Sequence, residues 1–218
     1  MESYADFYNK FCSYLENEDK QGCVEFILDA VDKKYIGITE LYEKILAPSL
    51  NGMEGREGQE ELFIWTEHIR SSIIRTIIEC CYPYVMGEIR KAGQTVDRGK
   101  VLLVCPPEEY HELGARMGSD FFNLCGYSTV FVGSNTPAEV IVSGLVVENQ
   151  KYVVISASNY YNLIAAKKVA DAVHAADKSI KILASGHAFR HDKAMGEVIG
   201  AIGVVNSIDD IMALEEGF

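Results

Sequence analysis

The chain has 218 residues, 48% of them hydrophobic, and sets 20 Lys and Arg against 32 Asp and Glu for a formal charge of −12. That length holds one large domain or two small ones with a real core. The acidic balance excludes a nonspecific grip on nucleic acid or on an anionic membrane, because each needs a cationic face. No apolar run approaches the ~20 residues that span a bilayer. The N-terminal MESYADFYNK has no basic region followed by an apolar one, so it does not read as a secretory signal, and a cytoplasmic protein is expected.

In the first part of the chain Tyr4, Phe7, Phe11 and Tyr14 recur at helical spacing, and Val24, Ile27, Leu28 and Val31 do the same. A third helix is predicted from Ile38–Thr39, with Thr39 as N-cap and Leu41, Ile45 and Leu46 on its apolar face, ending before Pro48. Residues 51–58 (NGMEGREG) read as a loop. Helical periodicity resumes from Gln59 to Tyr82, Pro83 interrupts or bends it, and residues 84–92 continue it. Amphipathic helices joined by short loops predict a four-helix bundle over residues 1–93.

A polar connector, Gly93–Gly99, precedes a change of period. Short β-branched runs lie at 101–105, 129–132, 152–155, 180–183 and 201–205, with helical stretches at 110–125, 137–148, 161–176 and 190–199 and a closing helix at 207–216. Buried strands alternating with helices predict a doubly wound, flavodoxin-like or Rossmann-like α/β domain with a five-stranded parallel sheet over 99–218.

The cysteines, at 12, 23, 80, 81, 105 and 125, form no CxxC pair and no zinc-type spacing. Five of the six lie in apolar surroundings and read as reduced core residues, with a redox role for Cys80–Cys81 as the alternative.

Ligands of open α/β sheets bind beyond the carboxyl ends of the strands. That selects the loops 106–111, 133–137, 156–161 and 184–189, and no GxGxxG or GxxxxGK[ST] accompanies them. The first runs into Glu109-Tyr110-His111-Glu112-Leu113-Gly114. It is either a polar loop entering a helix, with Glu109 favoured by the helix dipole, or a ligand loop. In the second case His111 binds a metal or cofactor while Glu109 takes its other ring proton, and Gly114 lets a bulky group approach the backbone.

Glu109-x-His111-x-x-Gly114 after the first strand, Ser156-x-Ser158 after the third and Ser185-Gly186 after the fourth together resemble the cobalamin-binding domain. Its usual signature is Asp-x-His-x-x-Gly, Ser-x-Leu or Ser-x-Thr, then Gly-Gly. Gly133-Ser-Asn-Thr-Pro137 stands where that family commonly has a Gly-x-x-x-Pro loop. The likeness implies that His111 replaces the benzimidazole of the cofactor as lower axial cobalt ligand, leaving the corrinoid base-off. Glu109 and Ser156 would form the relay behind it, and the nucleotide tail would lie near Ser158, Ser185 and Gly186, with Ala157 and Ala184 keeping its slot narrow. Glu109 departs from the commoner Asp, Ser158 from Leu or Thr, and Ser185 from the first glycine.

Helical spacing in the fourth helix places Trp65, His68, Ile69 and Ser72 on one stripe beside Glu67, either as core or as a functional face. Glu67-His68 with Ser71, Ser72 and Arg75 resembles an element of cobalamin-dependent light-responsive regulators, whose bundle covers the upper corrin face. The likeness implies that Trp65, Glu67 and His68 face the cofactor, His68 being a second candidate cobalt ligand. That family's Trp about ten residues ahead of the Glu has no counterpart here. The cofactor is expected to be cobalamin in its adenosyl, methyl or hydroxo form. The first expectation of function is a sensor acting through a protein partner such as a transcription regulator, without catalysis of its own or direct contact with nucleic acid or membrane. The second is a corrinoid carrier subunit serving methyltransferases. The third is a module for another tetrapyrrole or for protein interaction.

Overall fold

The computed structural model of the chain describes residues 3–52, 60–93, 98–190 and 194–214. It divides into two compact units, Met1–Gly87 and Glu88–Phe218. Among the described residues no helix is long and apolar enough to cross a membrane.

In the first unit α1 (Tyr4–Glu16) starts from a capping box: Asp6 N–H donates to Ser3 Oγ, and Ser3 N–H donates back to the Asp6 carboxylate. Asp19 caps α2 (Lys20–Asp32) by accepting from Gly22 N–H at 2.8 Å. Of the predicted stripes Phe11, Ile27 and Val31 are buried, Phe7, Tyr14, Val24 and Leu28 are half-buried and Tyr4 is exposed, while Leu15 and Cys23, outside the predicted stripes, join the core. The third segment departs from expectation. Gly37, not Thr39, precedes α3 (Ile38–Leu41), which widens into a π turn over Tyr42–Leu46 and continues as α4 (Ala47–Asn51). Pro48 does not end it: it stands just past the junction where the π turn gives way to α4, and the backbone stays helical through it.

The next helix, α5 (Glu60–Lys91), is assigned as one helix through Pro83. Ile73, Ile74, Ile77, Ile78, Cys81 and Val85 form its buried stripe. Residues 53–58 of the expected loop and Gln59 lie outside the described residues.

The second unit alternates β1 (Lys100–Val104), α6 (Leu113–Leu124), β2 (Ser128–Gly133), α7 (Ala138–Glu148), β3 (Tyr152–Ser156), α8 (Leu163–Ala176), β4 (Lys181–Ser185), α9 (Ala194–Ile199), β5 (Gly203–Val204) and α10 (Ile208–Ala213). All strand pairs are parallel, in the order β2-β1-β3-β4-β5. The core of one face joins Leu102 and Val104 of β1, Val153 and Ile155 of β3 and Ile182 of β4 to Val169 and Val173 of α8. Burial on both sides explains why β1 and β3 read as unbroken apolar runs, while the edge strand β2 alternates. The fifth strand is shorter than its apolar run, since only Gly203 and Val204 pair with β4. Residues 94–97 of the connector, 191–193 before α9 and 215–216 of the closing helix lie outside the described residues.

In this order the chain runs outward from β1 to β2, returns to β3 and leaves the other way. The reversal opens a crevice between the loops that follow β1 and β3, the place where flavodoxin-type sheets hold ligands.

Candidate functional site

Glu109 in the loop after β1 is fully buried at that crevice and accepts four hydrogen bonds. Its Oε1 takes the backbone N–H and the ring Nδ1 of His111, each at 2.8 Å. Its Oε2 takes Ser158 N–H at 2.7 Å and Asn162 Nδ2 at 2.8 Å, both from the segment after β3. Burial pushes the carboxyl upward. The bonds from the His111 ring, Ser158, Asn162 and His111 N–H outweigh it and hold the carboxyl down at about 2. An ionised Glu109 at Nδ1 makes that nitrogen the protonated one, so Nε2, on the far side of the ring, carries the lone pair. The His111 side chain is 54% exposed, against none for Glu109.

The loop after β2 braces this arrangement from the other side. Glu108 and Asn135 both have positive φ, at 67° and 51°. Glu108 N–H donates to Asn135 Oδ1, and Asn135 N–H donates to the Glu109 carbonyl, each at 2.9 Å. Glu112 accepts Ser134 N–H at 2.9 Å and so ties the start of α6 to the same loop. Beneath it, burial and then the charges of Glu109 and Glu112 push the Cys105 thiol up to about 12, so no thiolate competes with His111 for a metal there.

Glu109, His111 and Ser158 are therefore brought together, Ser158 through its backbone. Ser156 is not one of the four donors to Glu109. It ends β3, buried and paired in register with Ser185 of β4, and Asn162 takes the place expected for it. Gly186 (φ 100°) follows Ser185, and a Cβ there would lie 2.9 Å from the Ala157 carbonyl carbon and closer still to its oxygen. Ala157 and Ala184, expected to line a slot, are fully buried in the core. Trp65, Glu67 and His68 belong to α5 in the other unit. There Glu67 Oε1 accepts the Ser71 hydroxyl at 2.5 Å, and its Oε2 lies 3.8 Å from His68 Nε2. Trp65 is 67% exposed, which removes it from the core.

Asn162, Asn135 and Glu112 were not legible as site residues. Asparagine in a loop has the ordinary reading of a turn residue. Only the pairing across 53 positions between Asn162 and Glu109 assigns it to the site.

The donor set fits a corrinoid. Among the described residues no three His, Cys, Asp or Glu side chains converge as a metal cage. A metal carried in a macrocycle needs only one protein ligand, and His111 presents one imidazole with its tautomer held by a buried carboxylate. Gly114, in the first turn of α6, would meet nothing within 4 Å if it carried a Cβ, which is the open ground a bulky planar group requires.

Comparison with known proteins agrees with this fit. The chain is similar along 98% of its length to 98% of the monomethylamine corrinoid protein of Methanosarcina barkeri, with a TM-score of 0.80 at 16% identity. It is similar over 97% of its length to 98% of a cobalamin-binding protein from Desulfitobacterium hafniense DCB-2, at a TM-score of 0.52 and 16% identity. It also matches, over 96% of its length, 78% of a chain of the methanol:cobalamin methyltransferase complex of Methanosarcina barkeri, at 0.50 and 15%. No curated protein matches it in sequence. At such identities the likeness establishes the fold. The B12 binding domain family matches residues 99–213, over half of the chain and all of the sheet with its crevice, and the chain belongs to that family.

Proposed function

We propose that the chain is the corrinoid carrier subunit of a methyl-transfer system. It holds cobalamin base-off on His111 and offers it in turn to separate methyltransferases. The observation that carries this reading is the likeness along 98% of both chains to a monomethylamine corrinoid protein. The methanol:cobalamin methyltransferase complex, which also holds a similar chain, adds a methyltransferase as the partner class. Membership of the B12 binding domain family favours a corrinoid over another tetrapyrrole.

The bound corrinoid supplies a cobalt that accepts and releases a methyl group, and everything else falls to the residues of this chain. His111 Nε2 would hold the cobalt. Glu109 keeps the proton on Nδ1 and fixes the ring plane, and Ser158 N–H and Asn162 keep Glu109 ionised and in place. Ser158, Ser185 and Gly186 would hold the nucleotide tail of the corrinoid. Trp65, Glu67 and His68, on α5 of the helical unit, would serve the other face of the corrin. The chain itself needs no catalytic side chain, because the methyltransferases bring theirs.

The test uses protein loaded with hydroxocobalamin. The wild type shows the visible spectrum of histidine-ligated, base-off cobalamin, and His111→Ala loses it. After reduction the wild type accepts a methyl group from a methyltransferase system and passes it on. An unchanged His111→Ala spectrum sinks the ligand assignment, and a wild type that neither accepts nor donates methyl sinks the carrier role.

A second reading, a cobalamin-dependent sensor acting on a transcription regulator, draws on one observation. Glu67 and His68 stand side by side on α5 next to an exposed Trp65. It requires that illumination of the adenosyl or methyl form changes partner binding or oligomeric state.

A further inference from the structure

The loop after β4 is shaped by a side chain that no motif singles out. Gly186 adopts φ 100° and ψ 173°, a conformation that side-chain-bearing residues rarely enter, and its backbone presses against the Ala157 carbonyl. Its N–H donates at 2.9 Å to Asn206 Oδ1, from the segment after β5. Asn206 is held in turn: its N–H donates at 2.9 Å to Asp210 Oδ2, which also accepts the Ser207 hydroxyl at 2.7 Å. Asp210 N–H closes the cap on Ser207 Oγ at 3.1 Å. β5 has only two residues, and backbone bonds from Ile202 N–H to the Ile182 carbonyl and from Val205 N–H to the Ala184 carbonyl extend its tie to β4 on either side. The Asn206 side chain carries that tie beyond the strand end, to Gly186.

We propose that Asn206, braced by Asp210, is a positioning residue for the nucleotide end of a corrinoid, setting affinity for tail-bearing corrinoids without setting affinity for the corrin ring. This rests on the reading that the tail lies near Ser185 and Gly186. The Gly186 N–H is given to Asn206, so Gly186 serves by the course of its backbone. Asn206 stands on the far side of β4 from the β1–β3 crevice. The His111 anchor has its own partners there, Glu109 with Ser158 and Asn162 behind it. Releasing Gly186 therefore disturbs the tail end and leaves the cobalt anchor intact.

The experiment compares two probes on the full chain: hydroxocobalamin, and cobinamide, which has the corrin ring but no nucleotide tail. Affinities are measured for the wild type, Asn206→Ala and Asp210→Ala. The wild type binds hydroxocobalamin more tightly than cobinamide. Asn206→Ala weakens hydroxocobalamin binding by about five- to tenfold, the effect of one hydrogen bond, and leaves cobinamide within about twofold. Asp210→Ala has the same sign and a smaller size. Equal losses for both probes reduce Asn206 to a fold residue and overturn the proposal. So does an Asn206→Ala protein that discriminates as the wild type does. A wild type that binds both probes equally overturns instead the tail reading beneath it.

Discussion

Glu109 is a fully buried carboxylate, and burial alone would drive it to the neutral form. Four donors reverse that, taking the carboxyl from an ordinary 4.5 to about 2. The folded state thus binds this proton less readily than the unfolded chain. The stabilisation is complete above about pH 4.5 and drains away as pH falls toward 2, with a total on the order of 3 kcal/mol. Urea unfolding of the ligand-free protein at pH 6 and at pH 3 will show this loss, and Glu109→Gln will flatten it. At pH 7 the same substitution costs about 2–3 kcal/mol, because its amide turns N–H groups toward donors. Asn162 can rotate its amide to compensate, but the backbone N–H of Ser158 cannot. The acid-x-His spacing carried half of this site in plain view. The other half, Asn162 and Asn135, is made by loops meeting across the sheet, which local spacing does not encode.

The elements read most faithfully where a single period ran undisturbed. Strands β1 and β3, buried on both faces, follow their apolar spacing, while the stripes of α1 and α2 do so in part, Tyr4 being exposed and Leu15 and Cys23 buried beside the predicted positions. Expectation failed at Pro48, which falls where a π turn gives way to a new helical turn and does not mark an end. At Pro83 the helix resumes over 84–92 as expected, and α5 is assigned through it without a break. Tertiary packing decides the second case. Ile77, Ile78, Cys81 and Val85 are buried on both sides of Pro83 in sequence, and breaking the helix there would expose them. Pro83 itself is exposed and has little packing to lose. Its missing N–H and its ring cost up to about 3 kcal/mol relative to alanine in a helix interior, offset in part by the freer unfolded chain that alanine brings. Pro83→Ala is therefore expected to stabilise the helical unit by about 1–2 kcal/mol, seen as a higher midpoint in urea by far-ultraviolet circular dichroism. A lower midpoint would mean that the proline relieves strain in α5.

At the scale of the whole molecule the chain is two compact units, Met1–Gly87 and Glu88–Phe218, with the boundary four residues before the end of α5. Each buries its own apolar residues: Ile27, Leu41, Ile45 and Ile74 in the first, Val104, Val153, Ile182 and Val169 in the second. Two cores of this kind melt as two transitions when nothing couples them. Ligand binding adds RT ln(1 + [L]/Kd) to whatever it holds folded, about 2.7 kcal/mol at roughly a 100-fold excess over Kd. For a unit of this size that raises the midpoint by about 10 °C. Hydroxocobalamin is accordingly expected to raise the transition of the α/β unit in calorimetry, and His111→Ala to abolish most of the rise. The proposed cover of the upper corrin face makes a further demand. Trp65 and His68 are exposed on α5, and if they close on the ligand the helical transition must rise with the other and merge toward it. A helical transition that stays in place while the α/β transition climbs would assign the whole of the binding to the second unit. Trp65, Glu67 and His68 would then be left to meet a protein partner instead.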